Sequence, residues 1–456
     1  MIHLQKQALP YREPQSVFGA LFGQDPHAIW LDSASLTNKA PYSYMARPTV
    51  LLKANQSPYL QVTELQTPLL EIQWPSRLTM SDLIPLMNTH RHSESKGPPF
   101  QGGLMGFMAY EYAHFLDTPI PYQTHTCDDL YWLWIEDFYY WDHEQQHCYA
   151  MAIGHDPTQV QKRVTSLTQN YHNACKNPFK VPQKAKRGPI RTHTPKSVYL
   201  DKITDIKALI RAGESYEICL SNEFHFESRL PALDAYQHLR QFNPAPYSCF
   251  IQTPDYQLLS SSPECFFDLS PSGEVNSYPI KGTRSQSENP IIQAEIERAL
   301  LNSEKDNAEL LMITDLIRHD LRKACTQIEV PELKKITQYA QVTQLSSHIR
   351  GQLKPGTHAL NLLEELFPGG SITGAPKYRS TEIIHQYENR ARDIFCGSIG
   401  YISLSGHACF NLAIRTALCH QEQYYIGAGG AIVADSDPEL EWQELCIKAD
   451  SLMKAF

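Results

Sequence analysis

The feature that most restricts the fold is a change of texture along the chain. Up to about residue 170 the sequence consists of short extended runs broken by Pro, Gly and Asn, such as Tyr59 to Val62 and the aromatic stretch Leu130 to Trp141. These read as strands. Residues 176–196 are rich in Lys, Pro and Thr and show little apolar periodicity, which marks a linker. Helical periodicity follows at Ser197 to Ala212, Asn289 to Asn302, Glu304 to Lys323, Ala359 to Phe367, Tyr378 to Glu388 and Pro438 to Phe456. Strand candidates lie among them at Glu217 to Phe226, Gln257 to Ser262, Cys265 to Leu269, Ile399 to Leu404, Asn411 to Ala417 and Gln423 to Ile426. Strands grouped with flanking helices, without regular βαβ alternation or an internal repeat, indicate an α+β fold. The organisation is an N-terminal region over 1–175, the linker, and a C-terminal region over 197–456.

The 456 residues can bury a sizeable core. With 40 Lys and Arg against 49 Asp and Glu, and no long basic run, the chain is poorly suited to nucleic acid. Its 11 scattered cysteines form no closely spaced ligand pair, so they read as reduced thiols and not as disulfides or a zinc site. No stretch has the length and apolarity of a membrane span, and Met1 to Pro10 lacks the apolar core of a signal peptide. A cytoplasmic protein without membrane contact is expected.

Two helices carry paired acids. Ser303 can cap a helix with Asp306 and Glu309 three residues apart on one face. Asp437 and Pro438 can start another, bearing Glu441 and Glu444 at the same spacing and Lys448 one turn on. Its apolar side, from Trp442 to Phe456, would anchor it. Facing one another, the two pairs would form a hard oxygen site suited to Mg2+. A solvated acidic face has the same spacing.

Gly427, Gly429 and Gly430 follow a strand candidate, and Pro368 to Lys377 forms a second glycine-rich stretch with Thr373 and Gly374. Either can be a plain turn or a place where backbone N–H groups approach an anion. Arg415, in an apolar run, needs a carboxylate from the protein or from a substrate. Lys281, flanked by Ile280 and Gly282, sits where desolvation can lower its pKa toward nucleophilic use, although most lysines reach solvent. Glu264 follows Ser262-Pro263, where a general acid could be held rigidly; an ordinary capping carboxylate also fits.

Together these segments resemble the chorismate-utilising enzymes. The resemblance is dense from Ser197 to Phe456, through Ser262-Pro263-Glu264, Pro279 to Thr283, Leu311 to Leu316, Pro368 to Lys377, Cys396 to Tyr401 and Gly427 to Ser436. It is looser before that, at Pro99 to Gly103 and Trp30 to Ser33. It implies large antiparallel sheets packed with helices. It also implies Mg2+ bound by Glu309 and Glu444, with Asp306 and Glu441 holding its waters. Thr283, Thr373, Gly374, Tyr401, Arg415, Gly427, Gly430 and Lys448 would surround chorismate, and Glu264 would protonate the departing hydroxyl. Leu31, Asp32 and Ser33 are similar to the strand that holds a tryptophan in relatives.

Lys281 selects the branch. In the resemblance, anthranilate-forming members have alanine there; the branch that aminates C4 of chorismate has lysine, which adds to C2 as the hydroxyl leaves. Nothing in the chain resembles a glutamine amidotransferase, so a separate glutaminase partner supplying ammonia is implied. Water-using members usually carry lysine where this chain has Glu217. Glu217 and Cys219 depart from the bacterial Gln and Asn of the aminating branch and resemble its plant and fungal form. Thr343 and Gln344 stand where a histidine is usual, and His348 is about 13 Å further along a strand. Cys409 and His319 also depart from the pattern. The alternatives are an anthranilate synthase component I and a catalytically weak regulatory scaffold.

Overall fold

The aromatic run Leu130 to Trp141 does not form one strand. In the computed structural model, which describes residues 2–35, 40–92, 97–176, 185–287, 289–338 and 342–456, it forms two, Leu130–Ile135 and Asp137–Asp142, in different sheets. The chain crosses at Glu136, whose buried carboxylate accepts hydrogen bonds from the Leu69 and Leu70 backbone and the Trp134 indole.

Among the described residues, each of the two sheets has 12 strands. Across the first run His3–Leu9, His147–Gly154, Asp137–Asp142, Tyr42–Ala46, Ala28–Asp32, Tyr247–Gln252, Gln257–Ser262, Thr416–His420, Gln423–Ile432, Glu217–Glu227 and Arg191–Thr192. The short Gly374–Ala375 strand pairs with the start of Glu217–Glu227. The second runs from Ile280–Ser285 through Val342–Leu353, Glu274–Ser277, Cys265–Leu269, Ala408–Leu412 and Ser398–Ser403 to Gly103–Met108 and Leu130–Ile135. All these pairings are antiparallel.

Both faces of the central strands are covered, so alternation separates two cores instead of a core from solvent. Leu104, Met108, Trp132 and Trp134 face the helices Met80–Thr89, Glu304–Ala324 and Ala359–Leu366. Met105, Phe107, Tyr131 and Leu133 face inward, against Ile29, Ile251 and Leu258 of the first sheet. The outer face of that sheet packs on Pro157–Lys176, Lys196–Arg211 and Pro438–Met453. The result is the expected α+β architecture of large antiparallel sheets with helices.

Residues 1–175 and 197–456 contribute strands to both sheets, so the boundary at 176–196 divides the sequence and not the sheets. Residues 177–184 of that stretch lie outside the described residues. Two strand expectations need correction. Asn411 to Ala417 is not continuous: strands end at Leu412 and resume at Thr416, with Arg415 at φ +50° between them. The glycines 427–430 are not a loop but part of the strand Gln423–Ile432, paired with Leu220 to Glu223. None of the helices among the described residues is long and apolar enough to cross a membrane, and all 11 cysteines are free thiols.

Candidate active site

The Glu304–Ala324 helix begins as its sequence demands. Ser303 accepts from the Asp306 backbone N–H, and the first turn carries acids that suit the helix dipole. The Pro438–Met453 helix is capped by Asp437, which accepts from Leu440 N–H, with Pro438 at the first position. Leu445, Ala449, Leu452 and Met453 bury its apolar side. The two acidic faces then approach the strand ends at Lys281, Glu217 and Glu264.

Lys281 Nζ donates to Glu217 Oε1 at 2.8 Å and lies 3.9 Å from Glu309. Burial acts to lower its pKa, but the charges of Glu217 and Glu309 outweigh burial and hold the ammonium above the ordinary lysine range. The lowered pKa expected from the apolar flank is therefore reversed by a partner 64 residues away in sequence. Glu264 behaves oppositely. It is buried and accepts from the Ser371 hydroxyl at 2.8 Å. Burial pushes its carboxyl up to about 7, with Ser371, Lys281 and Lys448 pulling only weakly the other way. A carboxyl that is half protonated near neutrality suits general acid work.

The acids of the two helices are interleaved with cations. Arg284 holds Asp306 at 2.8 Å, and Lys448 holds Glu444 at 2.7 Å. Lys305 lies between the helices, 3.4 Å from Glu441 and 3.9 Å from Glu309. Burial would raise Glu444, but Lys448 overrides it and keeps Glu444 below the usual carboxylate range. Burial raises Glu309, whose Oε1 is buried without a hydrogen-bond partner among the described residues. No group of three acidic or metal-ligating side chains is gathered for a metal among the described residues. The donor chemistry nevertheless fits a hard cation: four carboxylates, one with a bare oxygen, and a half-exposed Lys305 able to withdraw from the gap.

Around this cluster lie the other expected residues. Lys448 also donates to Gly429 O at 2.8 Å. A Cβ on Gly430 would lie 3.3 Å from Glu441, and one on Gly427 would strike the Phe395 ring at 2.2 Å. These glycines admit close neighbours; their value is clearance more than loop conformation. Gly374 has φ +136° and approaches the Glu217 carbonyl too closely for any side chain. The Thr373 hydroxyl donates to Gly369 O at 3.0 Å, closing the turn. Arg415 is part-buried, and burial lowers its pKa. Its side chain reaches only Asn243 Oδ1, at 3.4 Å, with no carboxylate in ion-pair range among the described residues. A guanidinium left so is suited to a carboxylate brought by a ligand.

Residues 51–454 match the family described as chorismate binding enzyme. The chain belongs to this family. A Methanothermobacter marburgensis anthranilate synthase component 1 is 30% identical over 460 residues, covering 99% of this chain and 94% of that protein. A Streptomyces pristinaespiralis aminodeoxychorismate synthase is 40% identical over 259 residues, 56% of this chain; the chain spans 36% of that relative's length. The crystal structure of anthranilate synthase component I from Streptococcus pneumoniae TIGR4 superposes with a TM-score of 0.76 at 24% identity. It covers 91% of this chain and 93% of that one, and shares the fold.

Within this chorismate-binding chain, two expected residues sit elsewhere or beyond description. Tyr401 is not in the Lys281 cluster. It lines a cavity of about 290 Å³ between the sheets with Leu31, Asp32, Tyr44 and Cys409, and packs on Tyr44 and Phe100. The strand at Tyr401 alternates faces, which points it inward, away from the helices. Asp32 closes one end of that cavity, held by Arg240 at 2.6 Å and by Ser43 and Tyr236. Ser33 lies beside it, its backbone N–H donating to Ser43. Thr283 pairs with Gln344 in its strand, and its side chain lies outside the described atoms. His348 bonds Asn276 at 2.7 Å and stacks on Tyr278, apart from the site. Lys377 is likewise structural, buried against Asp320 at 2.5 Å.

The residues missed in sequence are Lys305, Asn243 and Phe395. Lys305 carried a readable signal, one turn before Glu309. The other two are brought in by tertiary contact alone, as is the bond from Ser371 of the Pro368 to Lys377 stretch to Glu264. Glu217 appeared only as a departure from pattern, although it holds the central lysine.

Proposed function

We propose that the chain is the synthase component of an aminodeoxychorismate synthase, replacing the C4 hydroxyl of chorismate with an amino group. The observation that carries this reading is a part-buried Lys281 held by Glu217 and Glu309 near a Glu264 whose carboxyl is raised to about 7. Arg415, which has no carboxylate in ion-pair range among the described residues, would take a carboxylate of chorismate. Glu264, protonated below about pH 7, gives its proton to the departing C4 hydroxyl, which leaves as water. Lys281 surrenders a proton to the carboxylates that hold it, and its amine adds to C2 as that bond breaks and both ring double bonds shift. Ammonia then attacks C4, the two double bonds return and the lysine leaves. Glu309 and Glu444 would hold Mg2+, with Asp306 and Glu441 holding its waters. The ion would supply positive charge for a substrate carboxylate.

The aminodeoxychorismate synthase relative supports the branch and the lysine supports the chemistry; ammonia would come from a glutaminase partner. The test is product identification by mass after incubating the purified chain with chorismate, Mg2+ and an ammonium salt. A product that keeps the enolpyruvyl group and has gained nitrogen is expected, with no turnover on glutamine alone. Anthranilate and pyruvate would replace this reading with the anthranilate synthase one. No product would leave the scaffold.

A further inference from the structure

The strand Glu217–Glu227 has a gap along one edge. Its other edge is paired with Gln423–Ile432 from Ile218 to Glu227. On the open edge, Gly374–Ala375 covers Glu217 and Ile218, and Arg191–Thr192 covers Phe224 and His225. Between them no strand among the described residues covers Cys219 to Ser221. Buried backbone groups in such a gap need partners from elsewhere.

Two side chains supply them. Arg392 Nη2 donates to Cys219 O at 2.7 Å and Nη1 to Ile372 O at 2.8 Å, while Glu388 Oε1 accepts from the Ser221 backbone N–H at 2.7 Å. The two are joined by bonds from Nε to Oε2 at 2.9 Å and from Nη2 to Oε1 at 2.7 Å. Arg392 is 2% exposed and Glu388 3%. The helix Lys377–Glu388 ends at Asn389 with φ +50°, and this turn brings Arg392 back beside Glu388. Tyr110 lies against the guanidinium at 4.9 Å, and the Arg392 backbone N–H donates to Glu111. Burial acts to raise the Glu388 carboxyl, but Arg392 and Arg390 outweigh it and hold Glu388 below the usual carboxylate range. A planar guanidinium with nearly every donor used has one orientation.

Both carbonyls belong to segments of the active site. Ile372 follows Ser371, whose hydroxyl holds Glu264. Cys219 lies two residues after Glu217, which holds Lys281. We propose that Arg392 is a positioning residue whose guanidinium sets the spacing between the Ser371 turn and the start of the Glu217 strand, and with it that between Glu264 and Lys281. This rests on the amination reading above, to which it adds the group that places proton donor and amine together.

The test is Arg392→Lys, which keeps a positive charge beside Glu388 but not the planar group that spans both carbonyls. In this variant kcat should fall by about tenfold or more, while the KM for chorismate stays within about twofold. The alkaline limb of kcat, expected at about pH 7 in the wild type, should move upward, because Glu264 loses the Ser371 hydroxyl that lowers its pKa. A merely structural role would leave that limb in place. Arg392→Gln is a second variant that still leaves Glu388 a cation, Arg390 at 3.8 Å, and it should show the same two changes. Folded variants whose kcat or alkaline limb is that of the wild type would overturn the proposal. The infrared band of the Glu264 carboxyl, identified by its loss in Glu264→Gln, can be titrated without turnover. If the chain forms no aminated product, the proposed function fails; an upward shift of that band in Arg392→Lys would still support the positioning, and an unshifted band would overturn it.

Discussion

Two regions of the molecule have opposite character. The Lys281 cleft is crowded with charge: five carboxylates and four cations meet at the ends of strands and at two helix starts. The cavity at Leu31 and Tyr401 is lined by aromatic and aliphatic groups, and its buried acid Asp32 is already held by Arg240. The contrast teaches where reactivity can reside. In the cavity Asp32 is paired with Arg240, and burial shifts the second lining acid, Asp268, toward its neutral form, up to about 6, so an occupant gains mainly apolar burial. Around Lys281, one oxygen each of Glu217 and Glu309 is buried without a hydrogen-bond partner, and elsewhere the Arg415 guanidinium has no carboxylate in ion-pair range, among the described residues, so a ligand can complete the polar contacts.

That comparison breaks first at Lys281. Lys281→Ala should lower amination by at least on the order of a thousandfold, as loss of a covalent nucleophile does, and should also lower the thermal unfolding midpoint, because Glu217 is left buried without its cation. Intact-mass measurement of the wild type with chorismate and no ammonia should show an adduct on Lys281. Full activity in the variant would remove the covalent step. Next, Glu309→Gln and Glu444→Gln should each abolish the Mg2+-dependent rate while the circular dichroism spectrum stays native. Normal turnover of both variants in chelator would show that the acidic faces are not a metal site.

Glu264→Gln should cost about a hundredfold or more in kcat. Because burial raises Glu264 to about 7, its acid form is present below that pH, and wild-type activity should fall as pH rises through about 7. The Gln variant should lose that limb; a limb that persists belongs to another group. The smallest catalytic effect is expected in the cavity. Asp32→Ala leaves Arg240 without its buried partner and should destabilise folding by about 3 kcal/mol, read by denaturant unfolding, with kcat within a few fold. A larger loss of kcat than of stability would show that the two regions are coupled.

Local signals carried much of the framework. Ser303, Asp437 and Pro438 mark helix starts that the structure keeps, and Gln257 to Ser262 and Cys265 to Leu269 form the strands expected of them. These depend on capping and on side-chain period, which act over a few residues. Gly427 to Gly430 misled because glycine suggests a turn. Here it lies in a strand, where missing side chains leave room for Phe395 and Glu441. Arg415 similarly looked like a strand residue and instead breaks the run at positive φ.

What the sequence determined by itself was the set of chemical groups: paired acids at helical spacing, a lysine and a glutamate at strand ends, and the family they resemble. Only the tertiary structure decided how those groups are charged and which cavity each one faces. Tyr401 is turned inward by the pleat of its strand, and Lys281 is kept protonated by Glu217, a residue distant in the chain but 2.8 Å away in space. A pKa depends on burial and on the charges nearby, and neither is a property of sequence neighbours.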